Sequence, residues 1–282
     1  MFLRGNARPT VFNFGTKIGF NNELNIYVND DPLQHMLDIL FPKVCPSCKT
    51  EALESEILCS LCFSDIRFIN NWSCCQKCGV PFGFFNSEDE EDYDIDLAQE
   101  SDGHLCGRCV KGKFCFEKAR SIAIYDGKIR DMIISFKYEG KLSIANALVD
   151  ILTTNVPEDL DSFDSVVPVP LHIIKLRQRE YNQSVILANG LAKYAGVNCE
   201  IFGMKRTRET RPQIEIISEY ERRSNVKGAF SVTEDHKFKG KSILLVDDVF
   251  TTGSTSDECS KMLLNSGAYK VQVLTLTRAK RM

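Results

Sequence analysis

Residues 242–255 read Ser-Ile-Leu-Leu-Val-Asp-Asp-Val-Phe-Thr-Thr-Gly-Ser-Thr and carry the strongest structural signal in the chain. The apolar run Ile243 to Val246 is short enough for a buried strand of a parallel sheet and too short for a stable helix. Two carboxylates end the run, and a loop of hydroxyl residues with one glycine follows. Residues 257–264 then repeat apolar side chains at helical spacing. The pattern predicts a strand, an acidic pair, a phosphate-binding loop and a helix.

Each part of this pattern suits a ribose that carries a 5-phosphate. Backbone N–H groups at a helix N-terminus, with hydroxyls beside them, offer a phosphate many donors, and glycine lets the backbone approach closely. The two carboxylates, Asp247 and Asp248, accept hydrogen bonds from vicinal ribose hydroxyls or hold a hydrated Mg²⁺. The predicted phosphate-binding residues are Thr251, Thr252, Gly253, Ser254 and Thr255.

The same stretch resembles the fingerprint of type I phosphoribosyltransferases, which bind 5-phosphoribosyl-1-pyrophosphate (PRPP). The alternative for the two aspartates is a Walker-B-like or receiver-type acidic strand end. No G-x-x-x-x-G-K-[ST] loop occurs in the chain, which disfavours that alternative.

Composition sets broad limits on the class of protein. The chain has 282 residues, of which 43% are hydrophobic and 26% charged, enough for one large domain or two smaller ones. No apolar run approaches the roughly 20 residues that a membrane span needs, and the N-terminus has no signal-peptide pattern. We expect a cytoplasmic protein without a membrane span.

Charge is distributed unevenly. Residues 88–102 hold nine acidic residues and no Lys or Arg, which leaves 35 basic against 29 acidic residues elsewhere. The acidic run is typical of a solvated insertion. The mildly basic remainder suits an anionic ligand such as a phosphate or a nucleic acid, although a solvated surface has the same composition.

Eight of the twelve cysteines form four C-x-x-C pairs. In a reducing compartment such pairs favour metal knuckles over disulfides, and two knuckles supply the four thiolates of one Zn²⁺. Pairing in sequence order predicts two structural Zn²⁺ sites, while a crossed pairing and redox-active pairs stay open as alternatives. The two predicted sets are Cys45, Cys48, Cys59 and Cys62, and Cys75, Cys78, Cys106 and Cys109.

Three regions follow from these patterns: a flexible extension over residues 1–31, a double zinc ribbon with the acidic insertion over residues 32–116, and a phosphoribosyltransferase-like domain over residues 117–282. A short amphipathic helix is predicted from Pro32. After Lys111 strands and helices alternate, which predicts an α/β fold with a parallel sheet whose ligand lies at the carboxyl ends of the strands. Strands are predicted at 119–125, 163–169, 243–246 and 270–277, and helices at 129–138, 142–152, 257–264 and within 173–194 as one long helix.

PRPP also carries a pyrophosphate, so the site needs cations away from the fingerprint. Lys137 at the end of a helix and the segment 177–183 after a Pro-terminated strand are two such places. A third is a polar stretch that we interpret as a mobile basic flap. Its residues are Arg206, Arg208, Arg211, Gln213, Arg222, Arg223 and Asn225.

Several motifs together narrow the resemblance to one family. The double zinc ribbon, F-K-Y-E-G, V-P-V-P-L-H, R-x-Y-N-Q, E-R-R-S-N-V-K-G-A-F and the fingerprint resemble the ComF-type competence proteins from Leu33 to Arg278. The resemblance implies PRPP with Mg²⁺ at the fingerprint, catalytic roles for Asp247, Asp248, Lys137 and Arg179, and further PRPP contacts from Asn182, Gln183 and Arg222. At position 180 the family pattern has glycine where this chain has glutamate, which is expected to alter a close backbone contact and add negative charge near the pyrophosphate.

Two functions follow. The resemblance implies a PRPP-binding protein that handles single-stranded DNA during natural transformation, with single-stranded DNA and a competence helicase as partners and with phosphoribosyltransferase chemistry as its enzymatic activity. The alternative is a metabolic phosphoribosyltransferase in nucleotide salvage or biosynthesis. An amidophosphoribosyltransferase is disfavoured because residue 2 is Phe2, where a nucleophilic cysteine would be required.

Overall fold

The structure is a computed structural model that describes residues 44–50, 57–69, 73–82, 104–112, 114–140, 142–156, 159–210, 218–233 and 237–280. The predicted N-terminal extension, the helix from Pro32 and the acidic insertion lie outside the described residues, as do Arg211 and Gln213 of the flap. The division into three regions stays a prediction.

Helices and strands alternate through the second half of the chain, as predicted. The helices are α1 (Ser60–Ser64), α2 (Gly107–Lys111), α3 (Gly127–Tyr138), α4 (Leu142–Thr154), α5 (Ile173–Arg179), α6 (Gln183–Ala195), α7 (Glu219–Val226) and α8 (Ser254–Asn265). The strands are β1 (Ala119–Ile124), β2 (Ser165–Pro168), β3 (Asn198–Cys199), β4 (Met204–Arg206), β5 (Phe230–Val232), β6 (Ser242–Phe250) and β7 (Lys270–Arg278).

Five of these strands form one parallel sheet in the order β1-β7-β6-β2-β3. The central strand β6 pairs with β2 as far as Val246 and with β7 as far as Phe250. Because β2 ends at Pro168, the last four residues of β6 extend beyond it on one side. The carboxyl end of β6, which carries the acidic pair, is therefore open toward β2.

The apolar run of β6 is buried on both faces of the sheet. Leu244 and Val246 pack with helices α3, α4 and α6 in one cluster, while Ile243 and Leu245 pack with α8 and the antiparallel strand pair β4–β5 in another. Side chains alternate along a strand, so a continuous apolar run fits a sheet that is covered on both sides. No helix among the described residues is long and apolar enough to cross a bilayer.

The cysteine-rich region packs against the outer edge of the sheet. The Ile69 N–H donates to the Ile122 carbonyl at 2.8 Å, and the Ile124 N–H donates to the Arg67 carbonyl at 2.9 Å. A second segment of the same region contacts β1 where the Ala119 N–H donates to the Lys77 carbonyl at 2.8 Å. The cysteine-rich region thus continues the hydrogen bonding of β1.

Two predicted element boundaries are wrong. Strand β6 runs through the acidic pair to Phe250, because β7 supplies hydrogen-bond partners along its whole length. The region 173–194, which was predicted to contain a long helix, holds α6 and also the shorter α5 before it. The two are separated at Glu180, whose φ of 68° and ψ of −21° lie in the left-handed region. The Asn182 side chain then starts α6 by accepting a hydrogen bond from the Ser184 N–H at 3.1 Å.

The conformation of Glu180 gives a physical reason for glycine in the family pattern. A side chain makes the left-handed region unfavourable, whereas glycine adopts it freely. We expect Glu180→Gly to raise the free energy of unfolding by about 1 kcal/mol, after allowance for the greater freedom of glycine in the unfolded chain. Urea unfolding measures the change. Glu180→Gln keeps the backbone cost while removing the charge, so an equal gain in both variants would contradict the explanation.

Candidate phosphoribosyl site and cysteine centres

Asp248 forms an ion pair with a lysine that the sequence places far away. The Lys137 Nζ, at the end of α3, lies 2.8 Å from the Asp248 Oδ2, and the two side chains are only 17% and 12% exposed. Burial alone would lower the pKa of Lys137, but the Asp248 carboxylate outweighs this effect and raises it above the ordinary value. Lys137 is therefore held in its charged form beside the acidic pair.

Asp247 has neutral hydrogen-bond donors. The Ser184 hydroxyl, in the first turn of α6, donates to the Asp247 Oδ1 at 2.8 Å, and the Asp248 N–H donates to the same oxygen at 2.9 Å. Burial, and then the charge of Asp248, raise the pKa of the Asp247 carboxyl to about 7. An incoming donor or cation that favours the ionised carboxylate would lower this pKa again.

The predicted phosphate loop is a three-residue turn between β6 and α8. Gly253 ends the turn with a φ of 78° directly before α8. The Thr252 hydroxyl lies 2.8 Å from the Ser254 hydroxyl and 3.4 Å from the Ser254 nitrogen. Thr251, Thr252 and Thr255 are partly exposed, while Ser254 and Gly253 are buried. The loop therefore presents threonine side chains at the N-terminal end of a three-turn helix, where backbone N–H groups lack intrahelical acceptors.

A second group of predicted residues surrounds the start of α6. The Asn182 Nδ2 donates to the Val169 carbonyl at 3.0 Å, just beyond the end of β2. Gln183 is buried and accepts a hydrogen bond from the Arg179 guanidinium at 3.3 Å. Arg179 also lies over the Tyr138 ring, 4.9 Å from its centre. These three residues lie beside the acidic pair. The next residue after Gln183, Ser184, contacts Asp247, and the Tyr138 that Arg179 covers follows Lys137 in α3.

The predicted flap residues that the structure describes lie on strand β4, on helix α7 and in the segment after β4. Arg206 on β4 is half-buried against the Phe230 ring at 5.2 Å, and burial lowers its pKa while the Asp247 charge acts in the opposite direction. Arg208 donates to the carbonyl of Asn225 at 3.0 Å. Arg222 lies on α7, the helix between β4 and β5.

Three residues that lie next to the site were not identified from the sequence. Ser184 follows the R-x-Y-N-Q motif, and its position just inside a helix that Asn182 caps was the available signal. Tyr125 follows β1, and the charges of Lys137 and Asp248 both act on its half-buried hydroxyl, whose pKa burial raises. Arg108 lies inside a C-x-x-C pair and donates to the Thr252 carbonyl, a contact that no local pattern indicates.

The eight paired cysteines converge in two groups of four, in sequence order and not crossed. Within each group the sulfur atoms all lie within 4.8 Å of one another. The Cys48 and Cys59 sulfurs are 3.5 Å apart, and the Cys78 and Cys106 sulfurs are 3.7 Å apart. A tetrahedral Zn²⁺ with bonds of about 2.3 Å places its sulfurs about 3.8 Å apart, so both groups fit this ion.

The two cysteine centres repeat one local design. In each, the first pair is a tight turn followed by a residue with a φ of 68°, Lys49 in one and Gly79 in the other. The second pair of each lies at the start of a short helix, α1 or α2. The repeat explains why the four pairs divide as first with second and third with fourth.

Comparison with known proteins agrees with this architecture. A family model described as "Double zinc ribbon domain" matches residues 36–110. The chain is 30% identical over 228 residues to "Competence protein F" of Haemophilus influenzae, covering 79% of this chain and 90% of that protein. It is 29% identical over 244 residues to "DNA utilization protein YhgH" of Escherichia coli K12, covering 84% and 97%.

Among solved structures, the chain is similar to a glutamine PRPP amidotransferase from B. subtilis, with a TM-score of 0.35 and 22% identity. The match covers 50% of this chain and 30% of that chain, so the chain spans less than a third of that protein.

The fold and the cysteine centres define a class of protein: a double zinc ribbon joined to a parallel-sheet α/β domain. Within that class, the chain belongs to the competence protein F family.

We expect purified protein to contain two Zn²⁺ ions per chain, because each group of four thiolates completes one tetrahedral site. Elemental analysis measures the ratio. Cys62→Ser should lower it to about one and leave the second centre filled, whereas Cys115→Ser, at a cysteine outside both groups, should leave two ions. A ratio of one or zero in the unaltered protein would contradict the assignment.

The raised pKa of Asp247 predicts a pH-dependent stability. Its native pKa of about 7 lies above the ordinary value of 3.8, so the native state holds this proton more tightly than the unfolded chain does. The contribution of Asp247 to the free energy of unfolding is therefore fully present below pH 4 and is lost as the pH rises to about 7.

We expect Asp247→Asn, which keeps the accepting oxygen, to become more stable relative to the unaltered protein as the pH rises from 4 to 8, in the absence of Mg²⁺ and phosphate. Urea unfolding over this range gives the difference. Asp248→Asn is the matched variant, and it should be less stable at every pH because Lys137 loses its counter-charge. A difference for Asp247→Asn that does not vary with pH would contradict the raised pKa.

Proposed function

We propose that this protein binds Mg²⁺-PRPP at the carboxyl end of β6 and acts in the handling of single-stranded DNA during DNA uptake, in the cytoplasm. The observation that carries the first part is the Lys137–Asp248 ion pair, which places a cation beside two adjacent carboxylates shortly before the threonine loop. The names of the relatives support the second part, since they are a competence protein and a DNA utilization protein.

The two ends of the ligand have matching groups at this site. Asp247 and Asp248 accept hydrogen bonds from the vicinal ribose hydroxyls, and the Thr251–Thr255 segment binds the 5-phosphate through hydroxyl and backbone donors. Asp247 and Asp248 would also be able to hold a hydrated Mg²⁺ through their carboxylate oxygens, and the ion would neutralise part of the negative charge of the pyrophosphate. The two Zn²⁺ ions are structural.

The pyrophosphate group of PRPP is expected to lie beside the cationic side chains of the site. Lys137 and Arg179 are close to the start of α6, together with the side-chain amides of Asn182 and Gln183. Arg222 completes the set if α7 approaches the site when the ligand is bound, as expected for a flap.

Phosphoribosyl transfer is the chemistry that such a site supports. A nucleophile attacks C1 of the ribose, the bond from C1 to pyrophosphate breaks, and positive charge develops on the sugar ring. The protein's part is to fix the ribose through the aspartates and to stabilise the negative charge of the leaving pyrophosphate through Lys137 and Arg179. The acceptor decides between a DNA-handling factor and a metabolic enzyme.

We expect calorimetry to detect Mg²⁺-PRPP binding, and Asp247→Asn with Asp248→Asn to weaken it by about 100-fold or more, because two charge-assisted hydrogen bonds are lost. Asp164→Asn is the control, since Asp164 accepts the Ser242 N–H at 2.8 Å at the opposite end of β6. Ser184→Ala leaves both carboxylates in place and should weaken binding less. Unchanged affinity in the double variant would remove the proposed site.

The acceptor is tested by incubating the protein with Mg²⁺-PRPP and a panel of nucleobases, with and without single-stranded DNA. The proposal expects retention of DNA that weakens with added salt. Release of pyrophosphate only when one particular base is present, without retention of DNA, would support the metabolic alternative instead.

A further inference from the structure

The phosphate loop is held from the side of the second cysteine centre. Arg108, which lies between the ligands Cys106 and Cys109, donates a hydrogen bond from its guanidinium to the Thr252 carbonyl. The same guanidinium lies over the Phe114 ring, 5.0 Å from its centre. A side chain inside a metal knuckle thus fixes a main-chain atom of the loop.

Aromatic packing gives a second connection. A Cβ added to Gly253 would lie 2.5 Å from the Phe250 ring and 3.3 Å from the Phe114 ring, so these rings leave room for glycine alone. Phe250 lies in turn under Arg278, whose guanidinium is 4.6 Å from the ring centre. The position of the loop therefore depends on where Phe250 is held.

Arg278 connects this packing to another ligand of the same centre. It is 2% exposed, donates to the Cys78 carbonyl at 2.6 Å and lies 3.7 Å from the Cys78 sulfur. A charged hydrogen bond from Arg278 to a thiolate that binds metal would be stronger than one to a neutral thiol. The second centre thus contacts the loop along two separate routes.

The first centre has no such connection among its described contacts. Its links to the α/β domain run to β1 through the main chain of residues 67–69, and to the beginning of α3, where the Asp65 carboxylate accepts the Lys128 N–H at 2.6 Å and Arg67 pairs with Asp126. Arg67 is therefore a matched control for Arg108, since both join a ribbon to the α/β domain but only Arg108 contacts the loop.

We infer that the second cysteine centre positions the phosphate loop through Arg108 and Arg278, so that metal at this centre and a phosphomonoester at the loop stabilise each other. The inference rests on the proposed function for the identity of the ligand. Its physical basis is reciprocity: if metal holds the loop in its binding conformation, phosphate at the loop must strengthen metal binding by the same factor. Arg108 and Arg278 are positioning residues, because they act through the loop and not on the ligand.

The inference is tested by the release of Zn²⁺ to a colorimetric chelator, with and without saturating ribose 5-phosphate. One of the two ions should leave about fivefold more slowly in the presence of ribose 5-phosphate. The effect should remain in Cys62→Ser, which keeps the second centre, and in Arg67→Ala. It should be clearly reduced in Arg108→Ala, in which only the route through Arg278 remains, while that variant still binds two ions, a result that loss of folding could not produce.

Hydrogen exchange of the unliganded protein gives a readout that does not depend on the ligand. Arg108→Ala should accelerate exchange of the amides of residues 251–255, and Arg67→Ala should not. Equal exchange in the two variants, or release of both ions unaffected by bound ribose 5-phosphate, would overturn the inference and leave the proposed function standing. Failure of the unaltered protein to bind ribose 5-phosphate would overturn the proposed function, and the exchange measurement would still decide whether Arg108 positions the loop.

Discussion

Two adjacent carboxylates at the end of a buried strand are the constraint on which the rest of the site depends. Two carboxylates on adjacent residues repel each other when both are ionised, and burial adds to the cost. The protein offsets it asymmetrically: Asp248 has the ammonium group of Lys137, while Asp247 has only a hydroxyl and an amide. Asp248 is thereby paired with a cation, whereas the carboxyl of Asp247 has a raised pKa and would ionise more readily beside a further cation or donor. A site that is costly without its ligand is expected where function opposes stability.

Buried arginines join the cysteine-rich region to the sheet. Arg120 on β1 donates to the Gln76 carbonyl at 3.1 Å, and Arg278 on β7 donates to the Cys78 carbonyl at 2.6 Å. Each guanidinium donates to a main-chain carbonyl of the cysteine-rich region. The second ribbon is therefore part of the same packed core as β6 and α8, which also contains Cys75 and Phe250.

Local patterns predicted much of the fold, because hydrophobic periodicity and knuckle spacing are local properties. Met132, Ile133 and Phe136 were predicted to face inward on their helix, and they are fully buried. The contacts that make the site lie beyond such reasoning, since Ser184 and Asp247 are 63 residues apart and Arg108 and Thr252 are 144 apart. The helix break at Glu180 was not predicted, because glutamate favours helices. The turn is fixed by Asn182, which caps α6, and by the Tyr181 hydroxyl, which donates to the Phe136 carbonyl.

The main-chain bonds between residues 67–69 and β1 bear on how the α/β domain can be studied by itself. A fragment that begins near residue 117 would carry β1, a strand that is fully buried in the whole protein, with one row of amide and carbonyl groups open to solvent. Exposed apolar edge strands of this kind recruit strands from other chains and lead to aggregation. The ribbons therefore protect the edge strand β1 of the sheet within the same chain. A shortened form of the protein without them would need another segment to pair with β1.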